Sequence, residues 1–257
     1  MQNILLIDIG NTNIVIGLYN NKQIIKSYRF TTDVNDTVDD LGHKIIFTLF
    51  REELKPENFK AVIIACVVPQ LDNKIKDAVT KYIKCDNHFV DPFNNTFIST
   101  TYPPEEIGAD RIVNTAAGIE LYGAPLIIVD MGTAVTMDVV SIHGKYLGGI
   151  IFQGIDLALR TLCAKAAKLP KTDLKVPSKV IGKSTAECIQ SGIYHSYIGA
   201  VKHLVKQIKQ EAQISQVKVV LTGGYTDLFK SETDTFDIFD KDLSLKGLAI
   251  YYEKYFK

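Results

Sequence analysis

Leu5-Leu6-Ile7-Asp8-Ile9-Gly10-Asn11-Thr12 and Ile127-Ile128-Val129-Asp130-Met131-Gly132-Thr133-Ala134 follow one pattern: an apolar run, Asp, an apolar residue, Gly and then a hydroxyl-bearing residue. Each copy continues into an alternating run, Ile14 to Tyr19 and Val135 to Val140, which reads as a half-buried strand. A turn follows in each case, at Asn20-Asn21-Lys22 and at His143-Gly144, and a third strand-like run comes after it, to Phe30 and from Tyr146 to Phe152. A three-strand meander is therefore repeated, and the chain is expected to consist of two homologous βββαβα halves, 1–110 and 111–257.

The first copy also carries chemistry. Ile4 to Ile7 reads as a buried strand, so Asp8 to Asn13 is a tight strand-to-strand turn. Gly10 has no side chain and lets backbone N–H groups approach a ligand, while Asn11, Thr12 and Asn13 add short polar groups suited to phosphate oxygens. Asp8 supplies an oxygen ligand of the kind Mg²⁺ takes, usually with retained waters. An ordinary hairpin would use the same residue types for turn geometry alone, and one turn by itself leaves both readings open.

Outward from this turn, Asp36 or Thr37 can cap a helix whose apolar positions are Leu41, Ile45, Leu49 and Phe50. Ala61 to Val68 reads as a buried strand, Pro69 opens a helix to about Ile83, and His88 to Val90 is a short strand. Two prolines and two acids, Pro103 to Glu106, lead into a helix over Asp110 to Leu121 that ends before Gly123. Beyond the second meander, helices are expected over Ile155 to Ala167 and Thr185 to Glu211. A strand over Val217 to Leu221, a Thr222-Gly223-Gly224 turn and a closing helix over Leu243 to Tyr255 follow.

Composition narrows the function classes. With 46% apolar and 23% charged residues the chain has the make-up of a globular protein. Its 29 basic and 29 acidic residues balance, which gives no global attraction to nucleic acid or to an anionic membrane. The longest apolar run, Ala61 to Val68, is far too short to span a bilayer, and Asp8 interrupts the N-terminal run before it could act as a signal core. Cys66, Cys85, Cys163 and Cys188 form no C-x-x-C pair and are expected as reduced, buried thiols in a cytoplasmic protein. Gly182-Lys183-Ser184-Thr185 looks like the end of a Walker A loop, but Pro177 stands where its earlier glycine must be. It is read as a loop and helix start, with Thr185 either contacting a ligand or acting as N-cap.

Two Asp-x-Gly turns on duplicated halves, with a Gly-Gly turn after a late strand, resemble the actin, hexokinase and Hsp70 type of α/β (ribonuclease H-like) ATP-binding fold over the whole chain. That resemblance implies two domains with an interdomain cleft. More narrowly, five stretches together resemble type III pantothenate kinase. They are Asp8 to Asn13, Gly108 to Arg111, Asp130 to Asp138, Gly148-Gly149 and Leu221 to Gly224.

Read residue by residue, the resemblance implies that Asp8, Ile9, Gly10, Asn11, Thr12, Asn13, Ile14 and Val15 hold ATP phosphates, with Asp8 also on magnesium. Thr133 would contact ATP as well. Gly108, Ala109, Asp110, Arg111 and Thr185 would bind pantothenate, with Asp110 accepting the proton of its primary hydroxyl. Asp130 would help hold a monovalent cation, K⁺ or NH₄⁺, and the active protein would be a homodimer. The implied function is ATP-dependent phosphorylation of pantothenate to 4′-phosphopantothenate; the alternative is a non-catalytic, transcription-accessory member of the same family. The chain departs from the family pattern twice. Thr101, followed by Tyr102, stands where a tyrosine is usual, and Gln153-Gly154 replaces the usual Pro-Gly.

Overall fold

Asn3–Ile9 forms β1, a strand in which every apolar side chain is buried, as a position between two neighbouring strands and two covering layers requires. It pairs antiparallel with β2 (Asn13–Asn20) and parallel with β4 (Phe59–Cys66). With β3 (Gln23–Thr31) and β5 (Asp86–Phe89) the sheet runs β3-β2-β1-β4-β5. The computed structural model describes residues 3–92, 97–166 and 169–257. Their contacts group Met1–Ala117 with Leu243–Lys257 in one unit and Gly118–Asp242 in another.

In the first unit, strand alternation sends Leu5, Ile7 and Ile9 to one face, where they join Ile14, Ile16 and Leu18 under two helices. The helices are α1 (Val38–Arg51) and α2 (Pro69–Tyr82). Thr37 caps α1 by accepting from the Asp40 N–H at 3.2 Å, while the Asp40 carboxylate accepts from the Thr37 N–H at 2.9 Å. Leu41, Ile45 and Leu49 are buried, each worth roughly 1.5–3 kcal/mol of transfer energy. Phe50 breaks the expected stripe: it stands about 100° round the helix from Leu49 and is 76% exposed.

The opposite face of this sheet is covered by α6 (Leu243–Tyr255). Gly17 of β2 meets Leu245, whose Cδ1 would lie 2.9 Å from a Cβ there, and the Tyr19 hydroxyl donates to Glu253 at 3.0 Å. A two-residue strand, β6 (Ser99–Thr100), precedes α3 (Ala109–Tyr122). On α3 the Val113 carbonyl oxygen would be 2.2 Å from a Cβ at Gly247 of α6, so these helices touch backbone to backbone.

The second unit repeats the first. β7 (Leu126–Met131), β8 (Ala134–Val140), β9 (Lys145–Gln153), β10 (Lys218–Thr222) and β11 (Ile238–Phe239) run β11-β10-β7-β8-β9, the same order with the same directions. Even the irregularities match. The ladder steps from Leu18↔Lys26 to Tyr19↔Ile24, and from Val139↔Gly148 to Val140↔Tyr146, so Ile25 and Leu147 are equivalent bulged residues. α4 (Ile155–Lys165) and α5 (Thr185–Glu211) complete the unit, and the expected helix end at Ala167 lies outside the described residues.

The mixed α/β architecture is that of a two-domain actin/hexokinase-like fold. No helix among the described residues is long and apolar enough to cross a membrane. The four cysteines are unpaired; Cys66, Cys85 and Cys163 are only half-buried, and Cys188, in the first turn of α5, is exposed.

The α3–α6 contact yields a stability test. Gly247→Ala should lower stability by about 1–3 kcal/mol, because backbone must move to admit the methyl group. Gly192→Ala, in mid-α5 with nothing within 4 Å of the new carbon, should raise it by about 0.5–1 kcal/mol. Urea unfolding of both variants measures this, and equal effects of the two substitutions would refute the packing argument.

Candidate active site

The β1–β2 turn is tied back on itself. The Gly10 N–H donates to the Asn13 carbonyl at 2.9 Å, and Thr32, just past β3, donates its hydroxyl to the Gly10 carbonyl at 2.7 Å and its N–H to that of Thr12 at 3.0 Å. Asn11 at the tip is exposed. Asp8 lies one residue before the end of β1, opposite Val15 and, one strand further, Arg29, so the three share a sheet face.

Asp110 sits in the first turn of α3, where unsatisfied N–H groups favour an anion. Its Oδ1 accepts from the Arg111 N–H at 2.8 Å. Gly108 makes room for that carboxyl group: a Cβ there would lie 2.5 Å from Oδ1. Arg111 is buried beside it, at 8% exposure.

The first unit thus gathers Asp8, Gly108, Ala109, Asp110 and Arg111 together. Both carboxyl groups keep some contact with solvent, yet protein surrounds them on most sides. Lost hydration pushes Asp8 up to about 7, and the negative charge of Asp110 adds to the shift; a hydrogen bond from Ser244 and the positive charge of Arg29 oppose it. Asp110 is also pushed up by burial, against the Arg111 N–H and guanidinium.

In the second unit the equivalent turn is one residue shorter, with the Gly132 N–H donating to the Ala134 carbonyl at 3.1 Å. Thr133 is exposed on it. Gly154 presses against this turn so closely that a Cβ would lie 2.2 Å from the Thr133 carbonyl oxygen, and its N–H donates to that oxygen at 3.0 Å. On the other side, a Cβ at Gly223 would lie 2.4 Å from Asp130 Oδ1 and 2.7 Å from the Met131 carbonyl oxygen. Gly223 has φ +93°, so the turn after β10 needs glycine twice over.

Thr185 stands apart from these contacts, exposed at the start of α5. The N-cap is Ser184, which accepts from the Glu187 N–H at 3.2 Å while Glu187 accepts from the Lys183 N–H at 2.7 Å. Gly182 to Thr185 is therefore a helix cap, and the described residues between α4 and this cap include no strand.

The profile of the type III pantothenate kinase family matches residues 4–207. The chain belongs to the type III pantothenate kinase family. Solved structures share the fold. A Baf family transcriptional activator from Campylobacter jejuni is 21% identical with TM-score 0.61, over 97% of this chain and 98% of that one. The ethanolamine utilization protein EutJ from Carboxydothermus hydrogenoformans is 13% identical with TM-score 0.57, over 98% and 90%. An inorganic polyphosphate/ATP-glucomannokinase from Arthrobacter sp. strain KM is 12% identical with TM-score 0.50, over 99% of both.

A type III pantothenate kinase is a phosphotransferase using ATP, which implies a divalent cation, and the residues present fit one. Asp8 is an oxygen donor whose charge is held out of water beside a second carboxyl group, a situation that a cation relieves. Among the described residues no group of three or more His, Cys, Asp or Glu could hold a metal. Mg²⁺ takes one or two carboxylates and completes its shell with phosphates and water. The Asp130 carboxylate and the Met131 carbonyl both lie close against Gly223.

The raised Asp8 pKa makes stability pH-dependent. Between the ordinary carboxyl value of 3.8 and about 7 the folded state holds a proton that the unfolded state has released, so this contribution is present at low pH and lost as pH rises through 7. Without metal or nucleotide, the protein should be less stable at pH 8 than at pH 5. Asp8→Asn should remove a penalty on the order of 2 kcal/mol at pH 8. Thermal melts across this range test it; parallel curves for the wild type and Asp8→Asn would disprove the assignment.

Proposed function

We propose that the chain transfers the γ-phosphoryl group of ATP to the primary hydroxyl of pantothenate, giving 4′-phosphopantothenate and ADP. The observation that carries this reading is Asp110: a carboxyl group of raised proton affinity, oriented by the Arg111 N–H at 2.8 Å, in the same unit as the Asp8 turn. Raised affinity makes it a better proton acceptor near neutral pH than an ordinary aspartate.

In this mechanism Asp110 takes the hydroxyl proton as the pantothenate oxygen attacks the γ-phosphorus, and the bond to the β–γ bridging oxygen breaks to release ADP. Ile9 to Val15 cradle the phosphates through backbone and short polar groups, and Arg111 binds the acceptor with Gly108 and Ala109. Bound Mg²⁺, held on the protein side by Asp8, supplies positive charge for the transferring group. Thr133 contacts ATP, Thr185 contacts pantothenate, and Asp130 helps hold K⁺ or NH₄⁺. A regulatory, non-catalytic member of the family is the second reading, favoured by the likeness to the Campylobacter protein described as a transcriptional activator.

ADP release in the presence of Mg²⁺, K⁺, ATP and pantothenate should depend on pantothenate. Background release would leave the regulatory reading. Asp110→Asn should cut turnover by about 10²–10⁴-fold with the melting temperature retained, since it removes a proton acceptor but keeps the shape; an active variant would take Asp110 out of the mechanism.

A homodimer is part of the proposal. In the second unit Ile151 of β9 is 60% exposed and Leu157 of α4 51%, and Val180 and Ile181 before α5 are exposed as well. A second copy covering such groups would account for them. Light scattering should give a dimer mass, and Ile151→Asp should shift it towards the monomer; a monomeric wild type would exclude this part.

A further inference from the structure

In the second unit the turn from Asp130 to Thr133 lies between two walls that are distant in sequence. One wall is the start of α4, where Gly154 donates its N–H to the Thr133 carbonyl at 3.0 Å. The other is the loop after β10, where Gly223 lies against Asp130 and Met131. Both walls must keep their places for the turn to keep its shape.

The loop after β10 is braced from within. Thr226, 2% exposed, donates its hydroxyl to the Gly223 carbonyl at 2.8 Å, and the Leu228 N–H donates to the Tyr225 carbonyl at 3.0 Å. The start of α4 is not. Its N-cap is Gly154, which has no side chain to accept from the free N–H groups of the helix, and Gln153 before it lacks the fixed φ that a proline would supply. Two tyrosine hydroxyls from elsewhere in the unit hold it instead. Tyr197 of α5 donates to the Gln153 carbonyl at 3.0 Å, just before Gly154, and Tyr225 donates to the Asp156 carboxylate, just after it. The second of these bonds runs directly from one wall to the other. Its acceptor is a carboxylate, and bonds of that kind are stronger than those between neutral groups. Asp156 is exposed, while its neighbours Ile155 and Leu159 are buried, so its side chain is not part of the core.

We propose that Tyr225 and Asp156 are a positioning pair for the nucleotide, their bond clasping the two walls and so fixing the Thr133 turn in the form that receives ATP. The inference rests on the reading of Thr133 as an ATP contact, and not on the identity of the phosphoryl acceptor. Neither side chain touches the reacting atoms. Without the clasp the turn holds its receptive form for a smaller fraction of the time, and ATP affinity falls in proportion to that fraction.

Isothermal titration of the full chain with ATP and Mg²⁺ tests this on wild type, Tyr225→Phe, Asp156→Ala, Asp156→Asn and the double variant Tyr225→Phe/Asp156→Ala. Each of the first two substitutions should weaken ATP binding by about three- to tenfold, the effect of one lost hydrogen bond. The double variant should be no weaker than either alone, because both remove the same bond. Asp156→Asn keeps a carbonyl acceptor for the tyrosine hydroxyl and should bind within about twofold of wild type. A general packing defect would add up in the double variant and would not be rescued by asparagine. Wild-type affinity in Tyr225→Phe or in Asp156→Ala overturns the proposal, as do additive losses or an Asp156→Asn variant as weak as Asp156→Ala. Should one single variant fail to fold, the other decides. A wild type that binds no ATP overturns it too. A wild type that binds ATP but releases no ADP with pantothenate removes the proposed substrate, and the ATP affinities of the variants still decide the clasp.

Discussion

Two carboxyl groups held close together, mostly out of water, set the terms for the first unit. Taking one such charge from water costs several kcal/mol even in a relaxed protein, and a like charge nearby adds to the cost. The structure reduces this with the Arg111 N–H, which donates to Asp110 at 2.8 Å, and with the positive charges of Arg111 on Asp110 and of Arg29 on Asp8. The compensation is incomplete, since Asp8 still titrates near 7.

The second unit shows which parts of this arrangement belong to the duplicated frame. Strand order, strand direction, the Asp before the turn and the bulge in the third strand are common to both units. The differences are chemical. The second turn is a residue shorter and is closed in by Gly154 and Gly223, whereas the first is laced to Thr32; each leaves one residue exposed, Asn11 or Thr133.

Much of the frame is legible in the sequence because it is local. Continuous apolar runs define β1 and β7, alternation defines β2 and β8, and the limits of α5 and α6 coincide with those read from the sequence. The family-linked residues around Asp8 and Asp110 announce themselves by unusual Gly and Asp placement. Other features depend on distant backbone. β11 is two residues long and exists because Asp237 and Asp240 donate N–H groups to the β10 carbonyls of Val219 and Leu221. Ser244 follows Asp242-Leu243 at a helix start and looks like any first-turn serine; only the seating of α6 on α3 brings its hydroxyl to donate to Asn114 Oδ1 at 2.9 Å. Thr185 and Ser184 are both reasonable caps, and the reach of Glu187 decides between them.

The membership of α6 in the first unit has a consequence for how the protein is made. Residues Gly118–Asp242 form an uninterrupted segment that can fold as soon as it has emerged, while the first sheet waits with one apolar face uncovered. Leu245 and its neighbours on α6 reach that face only after the whole second unit has been synthesised. The interval is one in which the β1–β2 face is open to wrong partners, and its length is set by the translation of the inserted unit and not by the first unit's own folding rate.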